Sequence, residues 1–124
     1  MEAVITPLTK IGRFLLAVPV AIFGIFHFMN ADGMAAMVPV PGGVIWVYVT
    51  GIALLAAAGA IIVQKKARLA AALLAILLLV FVLTVHLPGV MAGGDGAQMS
   101  MMGLLKDLAI AGGALVYAGT QPKE

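Results

Sequence analysis

The chain has 124 residues, of which 64% are hydrophobic and only 10% charged, and its mean hydropathy is +1.19. A water-soluble domain carries about 25% charged residues, so this composition excludes a soluble enzyme or nucleic-acid-binding module and places the chain among integral membrane proteins. The absence of cysteine excludes disulfides, thiol redox exchange and thiolate metal sites.

Met1 to Lys10 reads as a short polar start, with Thr6-Pro7 suited to opening a helix. Residues 11–29 form the first apolar run, long enough to cross the hydrocarbon. Lys10 and Arg13 ahead of an apolar core imitate a signal peptide. No A-x-A-like cleavage site follows, because the chain reads His27-Phe28-Met29-Asn30, so the run is taken as a span. Asn30 to Gly43 reads as a loop: Asp32-Gly33 and Pro39-Val40-Pro41-Gly42-Gly43 are expected to break helix, with Met34–Val38 as a short interfacial helix between them.

Residues 44–63 form the second run, which opens with Trp46 and Tyr48 at headgroup level and then turns to small residues that favour close helix approach. Gln64-Lys65-Lys66-Ala67-Arg68 is a tight basic turn. Residues 69–88 form the third run, closing on His86-Leu87-Pro88. A Gly-rich loop to Ser100 leads into the fourth run, residues 101–119, and Thr120 to Glu124 is a polar tail. The expected fold is therefore all-α: residues 1–124 as one antiparallel bundle of four transmembrane helices.

Four crossings put both termini on the side of the second-to-third turn. That side holds Lys10, Arg13, Lys65, Lys66, Arg68 and Lys123, six of the seven basic residues. Positive loops face the cytoplasm, so both termini are expected inside. The same asymmetry accounts for the basic character of the chain without any nucleic-acid partner.

Lys106 and Asp107 stand out, because no other apolar run contains both a cation and an anion. A charge within a bilayer-spanning helix is costly unless it is paired, hydrated or facing protein. At 1.5 Å per residue, Lys106 lies about 7 Å inside the outer end of its run. His27 and His86 close the first and third runs, and Tyr48 lies early in the second. All fall at one depth, in the outer leaflet. A four-helix bundle brings such groups within reach of one another if they face inward. The expected site is a ligand-binding pocket lined by His27, Tyr48, His86, Lys106 and Asp107, with Trp46 at its rim. Simpler uses exist for each residue alone: snorkelling for Lys106, a helix N-terminus for Asp107, interfacial positions for the histidines, the aromatic belt for Trp46. The methionines near the outer end read as adaptable packing, or as soft ligands for Cu(I).

Gly24-Ile25-Phe26-His27-Phe28, Met37-Val38-Pro39, Trp46-Val47-Tyr48-Val49-Thr50-Gly51, Lys66-Ala67-Arg68, Val85-His86-Leu87-Pro88 and Leu104-Leu105-Lys106-Asp107-Leu108-Ala109 together resemble, in order and spacing, the DoxX family of small bacterial four-helix membrane proteins. The resemblance implies a protein of the bacterial cytoplasmic (inner) membrane linked to redox metabolism. In some members of that family the partner is a thiosulfate–quinone oxidoreductase. The expected role is an accessory redox subunit whose pocket takes a quinone-like or other small amphipathic ligand, with a membrane or periplasm-facing redox partner supplying electrons. The alternatives are a non-catalytic assembly or scaffold subunit packing through small-residue faces, haem b held between His27 and His86, and a divalent metal on His27, His86 and Asp107.

Overall fold

A computed structural model describes residues 1–36 and 42–123. The chain is all-α, with no strand among the described residues, and four of its helical stretches are long and apolar enough to cross a membrane: Glu2–Met29, Gly43–Val63, Ala67–Met91 and Ala97–Thr120. In detail the first stretch is α1 (Glu2–Lys10) and α2 (Gly12–Met29), followed by the short α3 (Ala31–Ala35); the second is α4 (Gly43–Val63). The third comprises α5 (Ala67–Phe81), a π-helical segment (Val82–His86) and α6 (Leu87–Met91), and the fourth is α7 (Ala97–Thr120).

Several boundaries differ from the sequence reading. The polar start is helical, and only Ile11 separates it from α2. Asp32 and Gly33 do not break helix but lie inside α3, whose short length tolerates their low propensity; of the expected Met34–Val38 helix, Met37 and Val38 fall outside the described residues. The Pro39–Pro41 turn also lies outside them, while Gly42 takes a left-handed φ of 77° just before α4. The third stretch does not stop at Pro88. Proline lacks an N–H, and its ring collides with the carbonyl four residues back, here that of Thr84. The wider π turn relieves the clash, the Leu87 amide bonding the Val82 carbonyl five residues back, so helix continues to Met91. The Gly-rich loop contracts to residues 92–96, and α7 begins at Ala97, four residues before the expected Met101.

Helix α2 packs most extensively on α4, and α5 on α7; the α4–α5 seam joins the two pairs, whereas α2 and α7 touch sparingly. Apolar surface gives no hydrophobic driving force between helices in lipid, so close van der Waals fit must hold them. The interior is accordingly small: Ala17, Ala58, Ala71, Ala75 and Ala114 are fully or almost fully buried, with Val20, Ile61 and Leu74 as the bulkier fillers. At the tightest crossing Gly24 of α2 faces Gly51 of α4. A Cβ on Gly24 would stand 3.0 Å from the Gly51 carbonyl, and one on Gly51 would stand 3.1 Å from the Gly24 carbonyl. The basic ends of the four stretches are tied by long bonds: Arg13 Nε donates to the Ile62 carbonyl at 3.4 Å, Arg68 Nη1 to the Gln121 carbonyl at 3.4 Å and the Tyr117 hydroxyl to the Ile61 carbonyl at 3.5 Å.

Candidate functional site

On α7 the buried positions are Asp107, Ala111, Ala114 and Ala118. That spacing, four, three and four residues, keeps one helical face toward the bundle. Asp107 is 4% exposed and is the one buried polar or charged residue among those described. An unpaired carboxylate at such a place would be heavily penalised, and it is not unpaired. The π segment of the neighbouring stretch ends on His86, whose Nε2–H donates to Asp107 Oδ2 at 2.8 Å. Because a carboxylate only accepts, this bond fixes the Nε2 proton. The imidazole fits because Gly103, one turn before Asp107 on α7, has no side chain. A Cβ there would lie 2.8 Å from His86 Cε1 and 2.9 Å from Nδ1. Gly103 and Asp107 thus form a slot and a stop for one ring.

The second carboxylate oxygen, Oδ1, lies 3.5 Å from Lys106 Nζ. Adjacent helix residues do not normally face each other; the long lysine stem curls back to make the approach. The same ammonium sits 4.4 Å above the centroid of the Phe23 ring on α2, a cation–π distance. About half of the Lys106 side chain remains exposed. Phe23 also receives His27 from the next turn of α2: His27 Nδ1–H donates to the Phe23 carbonyl at 2.6 Å. A carbonyl cannot donate, so the proton is on Nδ1, and in the neutral ring Nε2 is the acceptor.

These groups border a cavity of about 550 Å3 between α2, α4, α5 with its π segment, and α7. Its walls are mostly apolar, from Phe23, Phe26, Leu54, Leu77, Phe81 and Ile110 among others, with the Thr50 and Thr84 side chains adding hydroxyls. Of the residues expected at the site, His27, Trp46, His86, Lys106 and Asp107 line this one cavity. Tyr48 does not. It is 42% exposed and stacks on Phe28, ring centroids 5.7 Å apart, on the outer side of the α2–α4 pair. Tyr48 lies in the same turn of α4 as the cavity-lining Trp46 and Val47 but on another face. Sequence reasoning missed Phe23, the shared partner of His27 and Lys106, and Gly103, the clearance for His86. The i, i+4 relation of Phe23 to His27 and of Gly103 to Asp107 is the signal that points to both.

Neither metal nor haem reading gains from this arrangement. Among the described residues no three of His, Cys, Asp and Glu converge as a metal requires, so His27, His86 and Asp107 do not form a triad. Axial haem ligation through His86 Nε2 would break its bond to the buried Asp107 carboxylate, and Nδ1 is backed against Gly103. The methionines thought of as outer packing are exposed at Met29, Met99, Met101 and Met102, while Met34 lines the cavity; Met37 of the same group lies outside the described residues.

A family described as a domain of unknown function, DUF8561, has a model that matches residues 16–106, from the second turn of α2 into the first half of α7. No curated protein and no solved structure matches the chain.

Proposed function

Because the chain belongs to the DUF8561 family, whose description names no activity, we propose its function from the site itself: a multi-pass membrane protein that holds the polar head of a small amphipathic molecule, quinone-like in its chemistry, inside the bundle. The observation that carries this reading is the His86–Asp107–Lys106 cluster on the wall of an otherwise apolar cavity of about 550 Å3. Well-packed apolar side chains at these positions would serve stability as well or better, without desolvating charge. A bundle that needs only to pack gains nothing from a buried carboxylate.

The cluster also sets the chemistry of the head group. Each Asp107 oxygen already has one partner, and the cluster's exposed member is a donor: the ammonium of Lys106 carries three N–H groups, with Nζ 3.5 Å from Asp107 Oδ1. An incoming group that accepts, as a carbonyl or enolate oxygen does, suits that ammonium. His27, with its proton on Nδ1, offers an acceptor at Nε2 for the hydroxyl of a reduced head group. A quinone with its apolar ring against Phe23 and Phe81 meets both requirements, and a redox partner at the same end of the bundle supplies or removes the electrons. The resemblance to DoxX proteins supports the redox part of this reading. The charge asymmetry supports an orientation with both termini in the cytoplasm of a bacterial inner membrane and the cavity in the outer leaflet.

The sole tryptophan, Trp46, lines the cavity and provides the reporter. Titrating the protein in nanodiscs with a short-chain ubiquinone or menaquinone should quench its fluorescence saturably. Lys106→Ala should weaken the apparent affinity by about tenfold, the loss of one charge-assisted contact, and Asp107→Asn, which removes the partner that positions Lys106, should weaken it as well. Quenching that does not saturate, or that is unchanged in both variants, defeats the proposal.

A further inference from the structure

The basic end of the molecule carries a second cavity, of about 460 Å3, between the α1–α2 stretch and α7. It lies between α2 and α7, which touch sparingly. Its mouth is polar and cationic: Lys10 and Arg13 line it together with Gln64 and Thr120, and no carboxylate does among the described residues. Arg13 spends Nε on the Ile62 carbonyl and rests its guanidinium carbon 4.4 Å over the Phe14 ring. Its two terminal nitrogens have no protein hydrogen-bond partner among the described residues. Its other flank is apolar, formed by the half-buried Leu16, the exposed Val116 and the Cβ-less face of Gly113. A methyl group added at Gly113 would meet no atom within 4 Å, so no other part of this bundle covers that face.

A cationic mouth above an open apolar slot fits an amphiphile with an anionic head. We propose that the cleft between α2 and α7 is a binding site for an anionic phospholipid, its phosphate held by Lys10 and Arg13 and one acyl chain lying along Val116 and Gly113. A free phosphate would leave the slot empty, and a partner helix, about 10 Å across, would cover the cleft from outside without entering it. The site is independent of the His86–Asp107 cavity at the other end. Anionic lipids of the cytoplasmic leaflet attract basic residues at that surface, and here a cleft adds a place for the chain.

Native mass spectrometry of the delipidated full-length protein tests this. After incubation with equimolar phosphatidylglycerol and phosphatidylcholine bearing identical oleoyl chains, the wild type should retain phosphatidylglycerol over phosphatidylcholine by about fivefold. The double substitution Lys10→Gln/Arg13→Gln should abolish that preference, while Lys65→Gln/Lys66→Gln, which removes the same charge from the same end but off the cleft, should keep it. Val116→Trp, which fills the slot and leaves both cations, should also lower retention. Glycerol 3-phosphate, the head without chains, should give no adduct. Should the Lys10/Arg13 double variant not purify as a folded protein, Lys10→Gln alone, which spares the Arg13–Ile62 bond, should lower the preference by about twofold. Parity between the lipids in the wild type, an equal loss with Lys65→Gln/Lys66→Gln, unchanged retention in Val116→Trp, a glycerol 3-phosphate adduct, or no loss with Lys10→Gln in that case would each overturn the site.

Discussion

Asp107 and His86 answer one another across two helices, and the bond between them has a direction: the ring donates, the carboxylate accepts. Truncating the acceptor leaves a donor in a largely apolar place, which costs roughly 1–3 kcal/mol. Asp107→Ala should therefore lower the unfolding midpoint in detergent clearly, whereas Asp95→Ala, at an exposed position, should stay within about 0.5 kcal/mol of wild type. Equal effects would reduce Asp107 to a surface charge. Asp107→Asn keeps an acceptor for the ring and should retain most of the stability while removing the counter-ion of Lys106; stability and ligand affinity then separate. Gly103 gives a sharper test of the slot. Its replacement by Ala drives a methyl into the imidazole and should cost about 1–3 kcal/mol, as overpacking does. The penalty should largely vanish in a His86→Ala background, a coupling that a double-mutant cycle measures directly.

Glycine has two meanings along these helices, and they follow from where each helix lies. At the α2–α4 crossing, a Cβ on Gly24 would meet Leu55 Cγ at 2.9 Å and the Gly51 carbonyl at 3.0 Å, and that backbone cannot step aside without parting the helices. Gly112 on α7 is exposed, with nothing within 4 Å of a Cβ. Denaturant titration of the purified protein should show Gly24→Ala destabilised by about 1–3 kcal/mol, while Gly112→Ala should be neutral or up to about 1 kcal/mol more stable through helix propensity. Loss of stability in Gly112→Ala would mean that this face is covered after all. The contrast also marks what the sequence conveys. The four spans are legible by counting, because rise per residue is fixed, although α7 begins four residues earlier than expected and so carries Lys106 further below its own outer end than the count put it. Facing is not, because a helix apolar on all sides has no polar stripe to orient it. Tyr48 therefore stands beside the cavity-lining Trp46 and Val47 and misses the site. The alanines at 111, 114 and 118 aligned Asp107 inward, but Gly112 and Gly113 made an equal claim on the same helix. Pro88 reads as a stop in any one-dimensional view, because the π turn that carries helix past it is a response of the backbone and has no residue signature of its own.

At the scale of the whole molecule, the two cavities lie at opposite ends and differ in charge: one is built around a buried carboxylate, the other around Lys10 and Arg13. Orientation in the membrane then decides which leaflet each one samples. Six of the seven basic residues belong to the end shared by the start of α2, the α4–α5 turn and the end of α7, so that end should be cytoplasmic. The absence of native cysteine makes this directly measurable, since any thiol present is an introduced one. A cysteine replacing Asp95, in the loop between α6 and α7, should react with a membrane-impermeant maleimide in intact cells. A cysteine replacing Lys66 or Lys123 should react only after the membrane is opened. Labelling with the opposite pattern would invert the molecule: the Lys10–Arg13 cleft would then meet the outer leaflet, and the His86–Asp107 cavity would open toward partners in the cytoplasm. The phospholipid preference measured on the purified protein would survive that inversion, because it depends only on the cleft. The assignment of the redox partner to the periplasmic side would not, because it depends on the charge asymmetry alone.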